Sequence, residues 1–412
     1  MRITYWIAAA SGLALTAFVL SFASGTREPS SYNVLYKFAG SPDGASPQSD
    51  LTLDAGGNLY GTTFSGGAHP NYGTVFELKR ANSGWQEQVL YSFSGGNDGG
   101  GPVGGVTFDK NGNLYGTTSF GGPYGETGTV FELSPNSKGG WNQQTIYQFS
   151  QVANPNSNLL IDSQGNLYGT TGLDHGGAGL VFELSLQPNG TWTEATLHAF
   201  IGKPDGAIPS GALVMDQQGN LYGMTQAGGT GSCAGGCGLV YELTPGSTGW
   251  TETVLYSFPG GRGRGRNPST GLTLDDAGAL YGTTWRGGDE YGVLFKLAQA
   301  KGQNWQEDVL YQFFGGIDGW SPVGRIVTTM PGILFGAAYL GGSNSIGTVF
   351  EVHPGPGAKE KTLHAFAGGA DGKLPMGGVT SDGDGTLYGT TSQGGNSGCN
   401  GNGCGTVYQL KP

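Results

Sequence analysis

A short segment with the sequence Leu-Tyr-Gly-Thr-Thr, or a close variant of it, occurs seven times in this chain of 412 residues. Consecutive copies are separated by 53 to 59 residues. The aromatic residues of the seven copies are Tyr60, Tyr115, Tyr168, Tyr222, Tyr281, Phe335 and Tyr388. Self-similarity at a period of this size is typical of propellers and of other arrays built from one supersecondary unit. The repeat therefore constrains the fold more strongly than any other feature.

Each repeat contains four short segments with the composition of β-strands. A run such as residues 105–109 comes before the Leu-Tyr-Gly-Thr-Thr segment, and runs such as 73–78 and 89–93 come after it. The segments are rich in β-branched and aromatic residues and are bounded by Gly, Asp, Asn or Pro. Glycine accounts for 82 residues, which disfavours helices. We predict an all-β chain with four antiparallel strands per repeat, and four strands make one propeller blade.

The two ends of the repeat region predict how the blades close into a ring. The last repeat stops after its third strand at residues 406–410, and a fourth-type strand at residues 34–38 precedes the first repeat. Pairing of these strands completes a seventh blade and removes an exposed sheet edge. An open solenoid normally carries polar caps, and none is evident in the sequence. We therefore predict a seven-bladed β-propeller closed by residues 34–38 and 406–410.

The combined motif resembles one known repeat family. Asn-Leu-Tyr-Gly-Thr-Thr, a Gly-Gly loop, Gly-Thr-Val-Phe-Glu-Leu, a Trp-bearing turn and Leu-Tyr-x-Phe together resemble the Gloeo/Verruco (GloVer) tandem repeat, over residues 34–411. The resemblance implies an exported bacterial repeat protein. It implies no activity, so no functional residue is carried over. The chain departs from the family's surface-sorting signals, because it reaches Pro412 without a hydrophobic anchor or a basic tail.

The N-terminal segment predicts export. Residues 3–22 form an apolar run after Arg2, and small residues at 21–23 offer a cleavage point after Ala23. The predicted division is a signal peptide at 1–23, a linker at 24–33 and the propeller at 34–412. The alternative is an uncleaved anchor, since the apolar run is near bilayer-spanning length. We expect a secreted protein, extracellular or periplasmic, that is a monomer and touches a membrane only through this segment.

The charge balance excludes one class of partner. A formal net charge of −11 repels phosphate backbones, so nucleic-acid binding is disfavoured. Charged residues make up only 12% of the chain, and Thr, Ser, Asn, Gln and Gly are abundant. Such a surface suits exposure outside the cell and weak contacts with glycans.

The four cysteines fall into two close pairs. Cys233 and Cys237 occupy the same place in the fourth repeat that Cys399 and Cys404 occupy in the seventh. Because those blades are not neighbours, pairing within each loop is the simplest connectivity, and an exported protein then has two disulfides. The alternative is a four-cysteine metal site, which the separation of the blades disfavours. We expect no metal and no cofactor.

Aspartates recur in turns on both faces of the predicted propeller. The segments 109–113 and 382–386 look like calcium loops but lack the remaining ligands, so turn-capping explains them better. Loops that join the second strand to the third, or one blade to the next, share one face, called here the loop face. Asp-Gly pairs recur on that face at Asp43, Asp98, Asp205, Asp318 and Asp371. They either form a cation-holding ring or cap their own turns, and we favour the caps.

The fifth repeat departs from the others on the loop face. It has arginines alternating with glycine where others have Asp-Gly, and off-pattern tryptophans and carboxylates lie in neighbouring loops. The candidate ligand-binding residues are Arg262, Arg264, Arg266, Trp285, Arg286, Asp289, Glu290 and Trp320. Such residues suit an acidic or neutral glycan through bidentate bonds and stacking. The plainer interpretation is a solvated loop with internal ion pairs.

No known catalytic motif is present. The sequence lacks a Gly-x-Ser-x-Gly elbow, a His-Glu-x-x-His pair and a phosphate-binding loop, and we predict no catalytic residue. Our first hypothesis is a non-enzymatic exported propeller that binds or displays an extracellular glycan or protein. The alternatives are a polysaccharide lyase or glycosidase that uses carboxylates such as Asp289 and Glu290, or a purely structural envelope protein. Whether the chain is an enzyme stays open at this point.

Overall fold

A computed structural model describes residues 30–82, 84–122, 125, 127–150, 153–172, 177–299, 304–330, 332–355 and 357–412. The predicted signal peptide and residues 24–29 of the predicted linker lie outside the described residues. Within the described ranges, no helix has the length and apolar character needed to cross a bilayer.

The described strands form seven antiparallel blades around one axis, as the repeat predicts. In chain order within each blade the strands are Thr52–Leu53, Leu59–Thr63, Thr74–Ala81 and Gly84–Ser92 in blade 1; Thr107–Phe108, Leu114–Thr118, Thr129–Pro135 and Trp141–Gln148 in blade 2; Leu160–Ile161, Leu167–Thr171, Leu180–Leu186 and Trp192–Ala199 in blade 3; Gly206–Met215, Leu221–Gly228, Leu239–Gly246 and Gly249–Ser257 in blade 4; Thr273–Leu274, Leu280–Gly287, Val293–Gln299 and Trp305–Gln312 in blade 5; Trp320–Met330, Ile333–Leu340, Thr348–His353 and Lys359–Ala365 in blade 6; and Val379–Ser381, Leu387–Thr391, Thr406–Lys411 and Ser31–Lys37 in blade 7. Short additions are the strand Gly265–Pro268 in blade 5, the pair Gly44–Ala45 and Ser65–Gly66, and the 3-10 helix Gly369–Asp371.

The ring closes as predicted, by antiparallel pairing of the first described strand with the last. Tyr32 lies opposite Leu410, and Lys37 lies opposite Thr406. The strand begins at Ser31, three residues before the predicted start, and ends at Lys37, one residue before the predicted end. The reason is visible at Tyr32, whose ring stacks on that of His364 in blade 6 at a centroid distance of 3.6 Å.

Close packing explains the glycine of the repeat. A Cβ on Gly61 would lie 2.7 Å from Cζ of Phe76 and 2.9 Å from Leu51, so the aromatic ring of the third strand occupies the space that a side chain needs. The tryptophans of the hairpin between the third and fourth strands pack between blades, against the repeat tyrosine of the preceding blade. The ring of Trp192 lies edge-on to Tyr115 at 6.0 Å.

Candidate functional site

Three cavities follow one another along the propeller axis. The axial funnel opens on the loop face and has a volume of about 600 Å³. Its described lining consists of Val103, Asn156, Ser210, Gly211, Gln226, Asn267, Ser269, Trp285, Arg286, Val323, Gly324, Tyr339 and Met376. Volumes of roughly 300–1,000 Å³ are typical of small-molecule sites. The funnel is therefore large enough to hold a ligand.

A narrow constriction lies beneath the funnel. It is the axial waist, a cavity of about 160 Å³ lined mainly by residues that precede the first strands, among them Asp50 and Arg325. The inner backbones of neighbouring blades touch there, because a Cβ on Gly324 would lie 1.8 Å from the backbone N of Gly378. A wider cavity of about 920 Å³ opens on the opposite face. A ligand in the funnel therefore meets a tight ring of backbone at its base.

The waist contains a partly buried carboxyl. Asp50 accepts a hydrogen bond from the backbone N–H of Gly378 at 2.5 Å. Burial raises the pKa of Asp50, while that hydrogen bond and the nearby charge of Arg325 act in the opposite direction. The contacts of this carboxyl therefore join blades 1, 6 and 7 at the axis.

Two aromatic side chains form one wall of the funnel. Trp285 and Tyr339 follow the Leu-Tyr-Gly-Thr-Thr segment, or its variant, on the second strands of blades 5 and 6. Their ring centroids are 5.7 Å apart, the planes are tilted by 33°, and both rings are partly buried. Blades 2 and 7 have serine at this position, as Ser119 and Ser392, and the Phe64 of blade 1 is outside the described lining. A pair of adjacent rings at the funnel is therefore a local feature of blades 5 and 6.

Amide side chains supply polar groups to the funnel. Asn267 donates through Nδ2 to the backbone oxygen of Gln226 at 3.0 Å, which leaves its Oδ1 to face other partners. Asn156 Oδ1 is buried and accepts no hydrogen bond from a described residue. Donors and acceptors of this kind pair with hydroxyl groups. The lining thus combines stacking surfaces with neutral hydrogen-bonding groups.

The arginines of blade 5 have different environments. Arg264 Nη1 lies 3.1 Å from Oε2 of Glu307, whose side chain is fully buried. Arg266 forms an ion pair with Glu290. Arg286 is exposed, lines the funnel and makes no ion pair with any residue that the structure describes. Of the arginines Arg264, Arg266 and Arg286, only Arg286 therefore keeps its charge available in the funnel.

The predicted ligand-binding residues do not all come together. Trp285 and Arg286 line the funnel, whereas Trp320 packs edge-on to Tyr291 at 5.5 Å and is 37% exposed outside the described lining. Arg262 is exposed, and its backbone bridges to Gly288. Arg264, Arg266 and Glu290 take part in ion pairs, which is the plainer interpretation of that loop. Asp289 is exposed and outside the described lining.

Several residues of the funnel were not predicted from the sequence. Tyr339, Asn156, Gln226 and Asn267 come from four different blades, and they meet only because the ring brings their inner ends together. One signal was available for Tyr339. It occupies the same place in its repeat as Trp285, directly after the variant Leu-Phe-Gly-Ala-Ala segment. Comparing that single position across the repeats would have identified it.

The Asp-Gly aspartates cap their own turns, which is the interpretation that the sequence favours. Asp98 accepts from the backbone N–H of Ser94 at 2.8 Å and from the hydroxyl of Tyr91 at 3.0 Å. In two blades a histidine replaces the tyrosine, and His364 Nε2 lies 3.1 Å from Asp371. The remaining aspartates of this set, Asp43, Asp205 and Asp318, make equivalent contacts. Over the described ranges, no group of three His, Cys, Asp or Glu is arranged to hold a metal.

The turns that look like calcium loops are also capped internally. Asp109 Oδ1 accepts from the backbone N–H groups of Asn111 and Asn113 at 2.8 and 2.9 Å. Asp382 Oδ1 accepts in the same way from Asp384 and Thr386. Each carboxylate is therefore occupied by its own turn.

The four cysteines form the two predicted disulfides. Cys233 is bonded to Cys237, and Cys399 is bonded to Cys404. Each bond closes a loop between the second and third strands of its blade, on the loop face. Cys237 and Cys404 are fully buried, so each disulfide fixes its loop to the core between two blades.

The comparison with known proteins decides the family. A model of the Gloeobacter/Verrucomicrobia repeat matches residues 16–235 and 230–412. The chain belongs to this repeat family. No curated protein matches it.

Some solved structures are similar to this Gloeobacter/Verrucomicrobia-repeat propeller at low identity. A PQQ-bound aldose sugar dehydrogenase from Streptomyces coelicolor is 17% identical, with coverage of 93% of this chain and 98% of that chain and a TM-score of 0.45. A gluconolactonase from Xanthomonas campestris is 13% identical, with coverage of 74% and 85% and a TM-score of 0.42. A putative glucose dehydrogenase from Thermus thermophilus is 18% identical, with coverage of 75% and 96% and a TM-score of 0.44. These similarities carry no information about activity.

Proposed function

We propose that this protein is an exported, non-enzymatic propeller that binds a glycan in the axial funnel. The observation that carries the proposal is the wall formed by Trp285 and Tyr339, whose rings are 5.7 Å apart at the funnel. Aromatic faces stack on the apolar faces of sugar rings, while neighbouring amides pair with hydroxyls. Because the waist closes the base of the funnel, the bound part is the end of a glycan chain.

Binding is favoured over glycoside cleavage for one specific reason. A glycosidase needs two carboxyl groups about 5–10 Å apart on either side of the scissile bond. The lining of the funnel, over the part of the chain that the structure describes, contains neither Asp nor Glu. Of the two carboxylates suggested by the sequence, Glu290 is in an ion pair with Arg266. The funnel therefore offers a surface for stacking without a pair of acids.

The proposed location is outside the cytoplasm. Two intrachain disulfides persist in oxidising compartments such as the periplasm or the extracellular medium. The apolar run at residues 3–22, followed by small residues, supports secretion through a cleaved signal peptide.

A glycan-array screen tests the proposal. Trp285→Ser and Tyr339→Ser place in the funnel the residue that blades 2 and 7 already have at this position, so we expect both variants to fold. We expect the wild type to bind a defined set of glycans and each variant to lose affinity by about tenfold or more. Trp320→Gly, outside the described lining, is the control and should keep binding. Equal binding by wild type and both funnel variants would contradict the proposal.

A further inference from the structure

We propose that the glycan end recognised by the funnel is acidic, and that Arg286 binds its carboxylate or sulfate group. The inference rests on the proposed function and names the chemical class of the ligand. Arg286 is the one charged side chain in the described lining of the funnel. The chain as a whole carries a formal charge of −11. A cation without an acidic partner in the funnel is therefore a local positive charge on an acidic protein.

The position of Arg286 is electrostatically unfavourable without a ligand. In blade 5 it lies directly opposite Arg266 on the neighbouring strand. Like charges in directly opposed cross-strand positions destabilise a sheet. The positive charge of Arg266 is compensated by its ion pair with Glu290, whereas Arg286 has no such partner among the described residues. A bound anion would supply the missing negative charge.

Two carboxylates near this sector are already neutralised. Glu290 is paired with Arg266, and Glu307 is paired with Arg264. The loop into blade 5 also lacks the Asp-Gly aspartate present in five of the other repeats. Asp289 is exposed but outside the described lining, so an anionic ligand in the funnel meets less repulsion here than beside an Asp-Gly loop.

The chemistry of arginine matches an acidic sugar. A guanidinium group presents parallel N–H donors that fit a carboxylate or a sulfate in a bidentate arrangement. Trp285, the preceding residue, offers a ring for stacking in the same funnel. A glycan end in the funnel can therefore place a sugar ring against the aromatic wall and an acidic group against Arg286.

Titration calorimetry with three probes tests the inference. The probes are trigalacturonate, its methyl ester, which keeps the rings but removes the charge, and a sulfated galactose trisaccharide. We expect the wild type to bind at least one anionic probe about tenfold or more tighter than the ester, with an affinity that falls as salt rises. The comparison of the two anions distinguishes a carboxylate from a sulfate as the preferred group.

Two substitutions separate this inference from the proposed function. Arg286→Gln introduces the residue that blade 7 has at the same position, Gln393, and should abolish the preference for the anionic probe while binding of the ester remains. Arg262→Gln, on an exposed arginine outside the described lining, is the charge-matched control and should keep the preference. Trp285→Ser should weaken binding of all probes.

The outcomes are distinguishable. If the wild type binds the ester as tightly as the acid, or if Arg286→Gln keeps the preference, the inference is wrong while glycan binding stands. If no probe binds any protein, the inference is also overturned, and the array decides the proposed function. Thermal unfolding without ligand gives a second readout. Arg286→Gln removes one of two opposed positive charges, so its Tm should equal or exceed that of the wild type. If Arg286 served only to stabilise the fold, the substitution would lower the Tm.

Discussion

At the scale of single residues, fourth-strand tyrosines such as Tyr36 and Tyr256 join a blade to its neighbour. Tyr36 donates to Asp43 at 3.0 Å, and Glu87 of the next blade lies beside the same pair. In the loop from blade 4 into blade 5, an arginine takes the place of the aspartate. There Tyr256 donates to Glu307 at 2.8 Å, and Arg264 pairs with the same carboxylate. In the loop of Asp43 the aspartate repels the glutamate of the next blade. In the variant loop an arginine stands in its place and attracts the corresponding glutamate.

The glutamates that lie beside such aspartates predict that the stability of the fold depends on pH. Burial, followed by the charge of Asp43, raises the pKa of Glu87 to about 7, and burial raises the pKa of Glu360 to about 7. The unfolded chain releases these protons near the ordinary pKa of Glu, about 4.3, so it binds fewer protons than the folded chain above that pH. These two groups therefore lower the free energy of unfolding as the pH rises from about 4.5 to about 7.

The double variant Glu87→Gln/Glu360→Gln should remove this contribution. We expect its free energy of unfolding to fall less than that of the wild type between about pH 5 and pH 8, since glutamine has no proton to lose. Urea unfolding across that range measures the difference. Parallel curves for the two proteins would show that these carboxyls ionise as freely in the folded chain as in the unfolded one.

The ion pair between Arg264 and Glu307 predicts what happens when the arginine is removed. Arg264→Ala leaves the fully buried Glu307 side chain without its cation, and we expect a loss of about 1–3 kcal/mol in the free energy of unfolding. Adding Glu307→Gln to the same chain should recover part of the loss, because the uncompensated charge is gone. Chemical denaturation gives both values. A change no larger than that of the control Arg262→Ala would mean that the ion pair is structurally irrelevant.

At the scale of elements, the second strand of each blade depends on a glycine beneath an aromatic ring. Gly61→Ala would place a methyl group 2.7 Å from Phe76, and overpacking of this kind costs about 1–3 kcal/mol. Gly383→Ala is the matched control, because nothing lies within 4 Å of its added Cβ. Denaturation midpoints should therefore fall for the first variant and stay constant for the second. Equal midpoints would contradict the packing argument.

The elements themselves were predictable from the sequence, and the contacts of the funnel only in part. The strand pattern is local, so alternation and turn residues are enough to place segments such as Leu59–Thr63 and Thr406–Lys411. The start of the closing strand at Ser31 was not predictable, because it depends on the stack of Tyr32 on His364 from the distant blade 6. Ion pairs depend on side-chain direction, so the sequence left the pairing of Arg266 with Glu290 open.

At the scale of the whole molecule, ring closure brings the funnel residues together. The described lining comes from blades 2 to 7, and no pair of neighbouring blades would form it alone. The seam between the first and last strands holds the ring. Without that pairing the edge of Thr406–Lys411 would be open to other chains.

A designed cross-link tests the seam. Asn33 and Gln409 lie directly opposite each other across it, so Asn33→Cys/Gln409→Cys should form a disulfide during oxidative folding. The four native cysteines are already bonded to each other, which leaves only the new pair free to react. Non-reducing peptide mapping should find the linked peptides and no free thiol. Two unreacted thiols in the folded protein would mean that the strands do not pair.

The position of a bound glycan tests the central claim most directly. The measurement is a crystal structure of the protein with the best ligand from the array. The account predicts a sugar ring against Trp285 and Tyr339, with its acidic group on Arg286 and its chain leading out of the loop face. A saccharide bound elsewhere on the surface, with the funnel filled by water, would contradict it.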